Sequence, residues 1–249
     1  MKIALDAMGG DTAPETTIAG AIRAARELPV EIALIGRQNV INAQLANYRH
    51  RPSNLSVVHA TEVIEMDESP VASVRKKRDS SINVGIELLR DHQVQAFVSA
   101  GNTGAVVSAA ALFLGLLAGA ERPGIAIVLP GLQGETLLID VGANIAPKPA
   151  HLLQYALMGE AYARAVLGNP KPTVALLNVG EEETKGTDFI RETYSLLESS
   201  AANFVGNAEW RDLFAGTFNV IVCDGFVGNV ALKTAESMAK AISQVLKRS

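Results

Sequence analysis

The chain has 249 residues, 48% of them hydrophobic, with 22 basic against 26 acidic residues and a formal charge of −4. That length and apolar content allow one α/β layer structure with an ordinary core. The negative balance excludes the diffuse positive field of a non-specific nucleic-acid binder. Cys223 is the only cysteine, so no internal disulfide is possible, and the N-terminus enters a strand pattern without a signal-peptide apolar region, which predicts a cytoplasmic protein.

In chain order, strand-like runs are predicted at 2–5, 31–35, 55–59, 95–99, 124–129, 136–140, 173–178, 203–205 and 219–223. Helical spacing is predicted at 15–27, 81–92, 103–117, 149–167, 187–199 and 229–247. The alternation predicts one mostly parallel sheet covered on both faces, a three-layer α/β/α fold. The turn-rich segment 130–134 (PGLQG) joins two β runs too closely for a helical crossover. That pair therefore reads as an antiparallel hairpin, and the sheet as mixed. The apolar stretch from Gly104 to Gly119 is shorter than the roughly 20 residues of a membrane span and reads as a buried helix. A non-polar tunnel lined by Phe113 and Leu116 is the alternative.

Five strand exits carry the chemistry. They run Asp6-Ala-Met-Gly9-Gly10-Asp11, Ser99-Ala-Gly101-Asn102-Thr103-Gly104, Asp140-Val-Gly-Ala-Asn144, Asn178-Val-Gly180 through Lys185-Gly186, and Asp224-Gly-Phe-Val-Gly228-Asn229. In an open α/β sheet ligands sit beyond the carboxyl ends of the strands, where N–H groups at helix starts attract anions. Five such loops predict one phosphate-like ligand. In the 99–105 loop the glycines free the backbone while Asn102 and Thr103 add donors, although a tight turn with a helix cap would use the same residues.

Asp6, Asp140 and Asp224 stand at strand ends, where a carboxylate could orient a lysine, accept loop N–H bonds or hold a metal; they read as loop organisers. Lys185 could place an ammonium over an anion, or lie in a solvated helix start. Lys233 has a weaker case. His151 reads as a solvent contact at a helix start or as a base without a visible partner. His50, His59 and His92 have no metal-site spacing, and Cys223 reads as an inert packing group. The run Arg75-Lys76-Lys77-Arg78 is either a dock for an acidic partner or a solvated helix end.

Together, these exit motifs, in order along the whole chain, resemble the bacterial phosphate acyltransferase family of phospholipid synthesis. The resemblance implies transfer of a fatty acyl group from acyl carrier protein to inorganic phosphate, and neither a cofactor nor a metal is expected. It implies a single catalytic domain, 1–249, similar in fold to isocitrate and isopropylmalate dehydrogenases. It implies a cytoplasmic homodimer with peripheral association at the inner face of the cell membrane, while the charge balance leaves no nucleic-acid partner expected. On this reading Lys185, Asn102, Asn144 and Asn229 are the catalytic candidates. Asp6, Gly9, Gly10, Gly101, Thr103, Gly104, Asp140, Gly180, Asp224 and Gly228 would bind substrate, and residues 75–78 would dock the carrier.

Two departures from the family pattern stand out. Ala146-Pro147 occupy a place where members commonly carry a polar or acidic residue and often Cys or Ser. Members also continue past residue 249 with Gly-Gly-Ala and His-Gly-Ser-Ser segments, so the chain is expected to lack the family's C-terminal segment. Two other classes remain in contention. A metal- and NAD-dependent β-decarboxylating dehydrogenase would use the aspartates as ligands, and a non-catalytic carrier-binding scaffold would rest on the basic run and the apolar helices.

Overall fold

Nine short, mainly apolar runs form strands among the described residues, and in the computed structural model they divide between two compact units, Met1–Leu117 and Ala118–Ser249. The structure describes residues 1–248; Ser249, the last residue of the expected catalytic domain, lies outside the described residues.

The first unit contains β1 (Lys2–Asp6), α1 (Glu15–Glu27), β2 (Glu31–Gly36), α2 (Gln38–Leu45), β3 (Leu55–His59), α3 (Pro70–Lys76), α4 (Ser81–Arg90), β4 (Ala96–Val98) and α5 (Thr103–Phe113). Its sheet is parallel throughout, in the order β3-β2-β1-β4. Ile32 and Leu34 pack with Ile18 and Ile22 of α1, while Ala4 and Ile35 point to the other face, toward Val94 and Leu88. Both faces are thereby covered, as a parallel sheet requires.

The second unit contains β5 (Ala126–Pro130), β6 (Glu135–Ile139), α6 (Pro149–Ala165), β7 (Val174–Leu177), α7 (Asp188–Glu198), β8 (Phe204–Ala208), a 3₁₀ turn (Trp210–Phe214), β9 (Val220–Val222) and α8 (Gly225–Leu246). The strand order is β5-β6-β9-β7-β8, with only β5 antiparallel. Leu137, Leu176 and Val222 face α6 and α7, and Leu138, Ala175 and Ile221 face the opposite layer. Each unit is thus a three-layer α/β/α arrangement, and the predicted 130–134 hairpin is present as β5–β6.

Two expectations are corrected. The strands form two sheets where one was expected: β4 is an edge of the first, and β5, antiparallel to β6, is an edge of the second. The 104–119 stretch is not a buried helix. α5 stops at Phe113, where Gly115 and Gly119 follow at φ +77° and +85°, a backbone region that side-chain-bearing residues avoid. Within α5 only Ala105 and Ala109 are fully covered, and Leu117 beyond it is 75% exposed. Among the described residues no helix is long and apolar enough to cross a membrane.

Candidate functional site

In the first unit β1 and β4 are neighbours, so their exits meet. Asp6, buried at the end of β1, accepts the Met8 amide through Oδ1 (3.0 Å) and the Ser99 hydroxyl through Oδ2 (2.8 Å). Ser99 Oγ in turn accepts the Gly101 amide (3.0 Å). The two loops touch backbone to backbone: a Cβ on Gly9 would lie 2.6 Å from the Gly101 nitrogen. Gly104 packs against Pro70 at the start of α3, and Gly10 lies over Ala100.

Asn102 is not the free donor its catalytic assignment requires. Its Oδ1 caps α5 by accepting the Ala105 amide (3.0 Å), and its Nδ2 donates to the carbonyls of Glu65, Met66 and Glu68 at 3.1–3.3 Å. The residue is 6% exposed and ties the exit to the segment before α3. Thr103, exposed at the first position of α5, keeps a hydroxyl with no side-chain partner among the described residues.

In the second unit the exits of β6 and β9 interlock. Asp140, fully buried, accepts the amides of Ile125, Gly142 and Ala143 through Oδ1 and that of Asn144 through Oδ2, at 2.8–3.1 Å. Asn144 Nδ2 donates to the Pro123 carbonyl, the Tyr155 hydroxyl and Asp140, while its Oδ1 accepts from Arg122. Its amide is therefore engaged in the scaffold, as that of Asn102 is. Burial, and secondarily the charge of Asp140, pushes the Tyr155 hydroxyl well above the ordinary phenol range, so it stays a neutral partner.

α8 begins directly against this loop. Asp224 caps it by accepting the Val227 amide (2.9 Å), and the Gly225 amide donates to the Asn144 carbonyl (2.9 Å). A Cβ on Gly228 would come within 1.9 Å of the Asp140 carbonyl oxygen, so only glycine permits this approach. Asn229, one residue on, is exposed beside Gly142, and its side chain has no partner among the described residues. Ile145, Ala146, Pro147, Phe189, Phe226 and Val227 line an apolar depression of about 260 Å³ beside Asp224.

β7 lies next to β9, and Asn178 shapes its exit: Oδ1 accepts the Val179 amide (2.8 Å) and Nδ2 donates to the Lys185 carbonyl (3.2 Å). Lys185 arches over Gly180, where a Cβ would stand 3.1 Å from the lysine Cγ. Its ammonium is exposed and makes no ion pair among the described residues. Lys233, by contrast, pairs with Glu236 at 2.9 Å.

Two further expectations change. His151 is not a solvent contact: it is 4% exposed, its Nδ1 accepts the Lys148 amide at 3.0 Å, and its Nε2 meets Glu121 at 3.1 Å, so it closes the start of α6. Lys77 is not part of a free basic run, because its ammonium holds the Val63 carbonyl and Glu68; Arg75, Lys76 and Arg78 remain exposed. The lysine is the leading reason that the Glu68 carboxyl lies below its usual range. Cys223 is the packing group expected: 1% exposed, with its thiol donating to the Asp140 carbonyl and pushed up by burial first and by Asp224 and Asp140 next.

The sequence reading missed Arg122, Tyr155 and Asn178 as scaffold partners. Asn178 lay inside a quoted exit motif, and its position directly after an apolar strand was the available signal.

A family model described as "Fatty acid synthesis protein" matches residues 1–249. The phosphate acyltransferase of Dictyoglomus turgidum is 49% identical over 248 residues, covering 99% of this chain and 74% of that protein. The phosphate acyltransferase of Heliobacterium modesticaldum is 51% identical over 249 residues, with the same coverages of 99% and 74%. Among solved structures, the EutD phosphotransacetylase of Staphylococcus aureus superposes with a TM-score of 0.68 at 18% identity, covering 96% of this chain and 82% of that one. A 4-hydroxythreonine-4-phosphate dehydrogenase from Burkholderia phymatum gives 0.53 at 11% identity, covering 89% and 79%. At such identities these two likenesses show the fold alone.

Proposed function

The chain belongs to the fatty acid synthesis protein family, and from that premise we propose that it is a phosphate acyltransferase, moving a fatty acyl group from acyl carrier protein to inorganic phosphate for phospholipid synthesis. The observation that carries this reading is the 49–51% identity to proteins of that name over 99% of the chain. Residues 1–249 act in it as one catalytic region.

A phosphate oxygen attacks the thioester carbonyl, a C–O bond forms, the C–S bond breaks, and the thiolate leaves and takes a proton from water. Phosphate is itself the nucleophile, so neither a serine triad nor a reactive cysteine is needed, in keeping with the buried, protonated Cys223. The protein's task is orientation and positive potential. In the second unit Lys185 supplies the cation. The first unit by itself offers donors in the helix-start amides after Gly101 and the Thr103 hydroxyl. Of the three candidate asparagines, Asn229 is the one whose amide is free to donate to the oxyanion. Asp6 with Gly9, Gly10, Gly101 and Gly104 shapes the substrate-binding exits within the first unit, and Asp140 and Asp224 with Gly180 and Gly228 shape those within the second.

Arg75, Lys76 and Arg78, at the carboxyl end of α3, are read as the dock for an acidic carrier. α8 leaves Val230, Met238, Ile242 and Val245 exposed along one length of helix, which suits a second copy or a membrane surface. The decisive assay incubates the protein with acyl carrier thioester, with and without phosphate, and measures acyl phosphate and free thiol. Lys185→Ala is expected to abolish phosphate-dependent transfer with an unchanged melting temperature. Unaltered phosphate kinetics in that variant would remove the lysine from the mechanism, and no acyl phosphate from the wild type would overturn the reading.

A further inference from the structure

The sheet of the first unit is not covered evenly. Between α1 and the edge strand β4 runs an open groove of about 320 Å³, floored by Ile3, Leu5 and Val98. Its wall is α1, where a stripe of Thr16, Gly20, Ala24 and Leu28, four residues apart on one helix face, is flanked by Thr17 and Ala21. At 1.5 Å per residue the stripe is about 18 Å long. Val98 is half exposed although it directly precedes Ser99, whose hydroxyl bonds Asp6. The head of the groove therefore opens at the joined exits of β1 and β4.

We propose that this groove is the seat of a saturated fatty acyl tail, with the thioester end toward the Ser99–Gly104 loop. The inference rests on the acyl-transfer reading above. The first support is shape: the trough encloses about 320 Å³ along about 18 Å, long and narrow. Those proportions suit a single narrow chain.

The second support is polarity. Thr17 Oγ1 donates to the Ala7 and Pro14 carbonyls, and Thr16 Oγ1 shares a hydrogen with Thr12. Both threonine hydroxyls of the wall are thus engaged within the protein. Apart from the open edge of β4, an extended peptide would find no partner in the trough for the N–H and C=O it brings per residue. An alkyl chain brings neither.

The third support is Gly20. A Cβ there meets nothing within 4 Å, so no packing constraint demands glycine, and its presence in the middle of α1 leaves the wall open. With C–C bonds of about 1.52 Å at tetrahedral angles, an extended chain advances roughly 1.25 Å per carbon, so the stripe matches roughly 14 carbons. Each methylene fully withdrawn from water strengthens binding about fourfold.

The test is displacement of cis-parinaric acid, a fluorescent C18 fatty acid, by saturated fatty acids of increasing length, on the whole chain and its Gly20→Leu and Gly20→Ala variants. Neither phosphate nor turnover is involved. Affinity is expected to rise steadily with length and level off near C14. Gly20→Leu should weaken parinaric and long-chain binding at least tenfold, whereas octanoate binding and the melting temperature hold and Gly20→Ala falls between. In the transfer assay Gly20→Leu should raise KM for C16 donors and leave C4 donors unaffected. Binding that ignores Gly20→Leu would overturn the proposal, as would equal loss for short and long donors. A lower oligomeric mass in Gly20→Leu would assign the groove to a second copy and overturn it too. Gly20-sensitive fatty acid binding without acyl phosphate production would instead leave the groove standing and refute the acyltransferase reading.

Discussion

Asp140→Ala is the substitution that tests most directly how the strand exits of the second unit are held. The carboxylate is fully buried and accepts four backbone amides, from Ile125, Gly142, Ala143 and Asn144, besides the longer contact from the Asn144 side chain. A hydrogen bond to a charged group contributes about 1.5–3 kcal/mol, and a donor left buried without a partner costs about 1–3 kcal/mol. The four amides do not add independently, because the loop relaxes as one piece. A net loss of about 4 kcal/mol follows, in the upper range for single substitutions. For a unit of about 130 residues, an unfolding entropy of about 2.1 cal/mol/K per residue converts this to a fall in Tm of about 14 °C. Thermal unfolding followed by circular dichroism measures it, with Asp140→Asn as the companion, since its remaining carbonyl keeps part of the set. A fall below about 3 °C for Asp140→Ala would refute the claim that this carboxylate organises the exit.

Gly228→Ala should destabilise by several kcal/mol, because its Cβ would meet the Asp140 carbonyl oxygen at 1.9 Å, and the buried Cys223 Sγ at 2.9 Å; near-wild-type urea unfolding would contradict the interlock. Cys223 should resist alkylation by iodoacetamide at pH 8 in the folded protein and react at once in urea. Its raised pKa also has a stability consequence: the neutral thiol supports the fold fully below the unfolded thiol range near about 8.5, and that support drains as pH climbs above it. Denaturant midpoints of Cys223→Ser and wild type, compared between pH 7 and 10, should converge with rising pH.

All nine strand runs appear in the structure within a few residues of their expected bounds, because each is a short apolar run bounded by polar or turn-forming residues. α2 was not legible: its buried contacts come from Ile41 and Leu45 alone, and two apolar residues four apart establish no period. α3 was missed for a related reason, seven residues ending in a basic run, although Ser69-Pro70 is a helix-start pair. The separation of the strands into two sheets leaves no local trace, since pairing is decided between distant segments. At the exits, residue type was readable and residue role was not. Whether the Asn102 amide points outward depends on three carbonyls 34 to 37 residues upstream, and no spacing rule reveals them.

That ambiguity is sharpest for Asn144 and Asn229, and opposite environments separate them. Asn144 is 9% exposed and holds Asp140, Pro123, Tyr155 and Arg122 at once. Asn144→Asp sets a second carboxylate beside that of Asp140 and replaces a donor to three acceptors by an acceptor. Two unit charges about 4 Å apart at an effective dielectric near 20 repel by about 4 kcal/mol. Its activity should therefore fall together with its stability, and the loss says nothing about contact with substrate. Asn229 is exposed and has no side-chain partner among the described residues, so Asn229→Ala disturbs no network. If its amide meets the oxyanion, kcat should fall about 10²–10³-fold while Tm and KM for phosphate hold. A loss in Asn229→Ala smaller than about threefold would mean that the oxyanion is held by backbone amides of the exits alone.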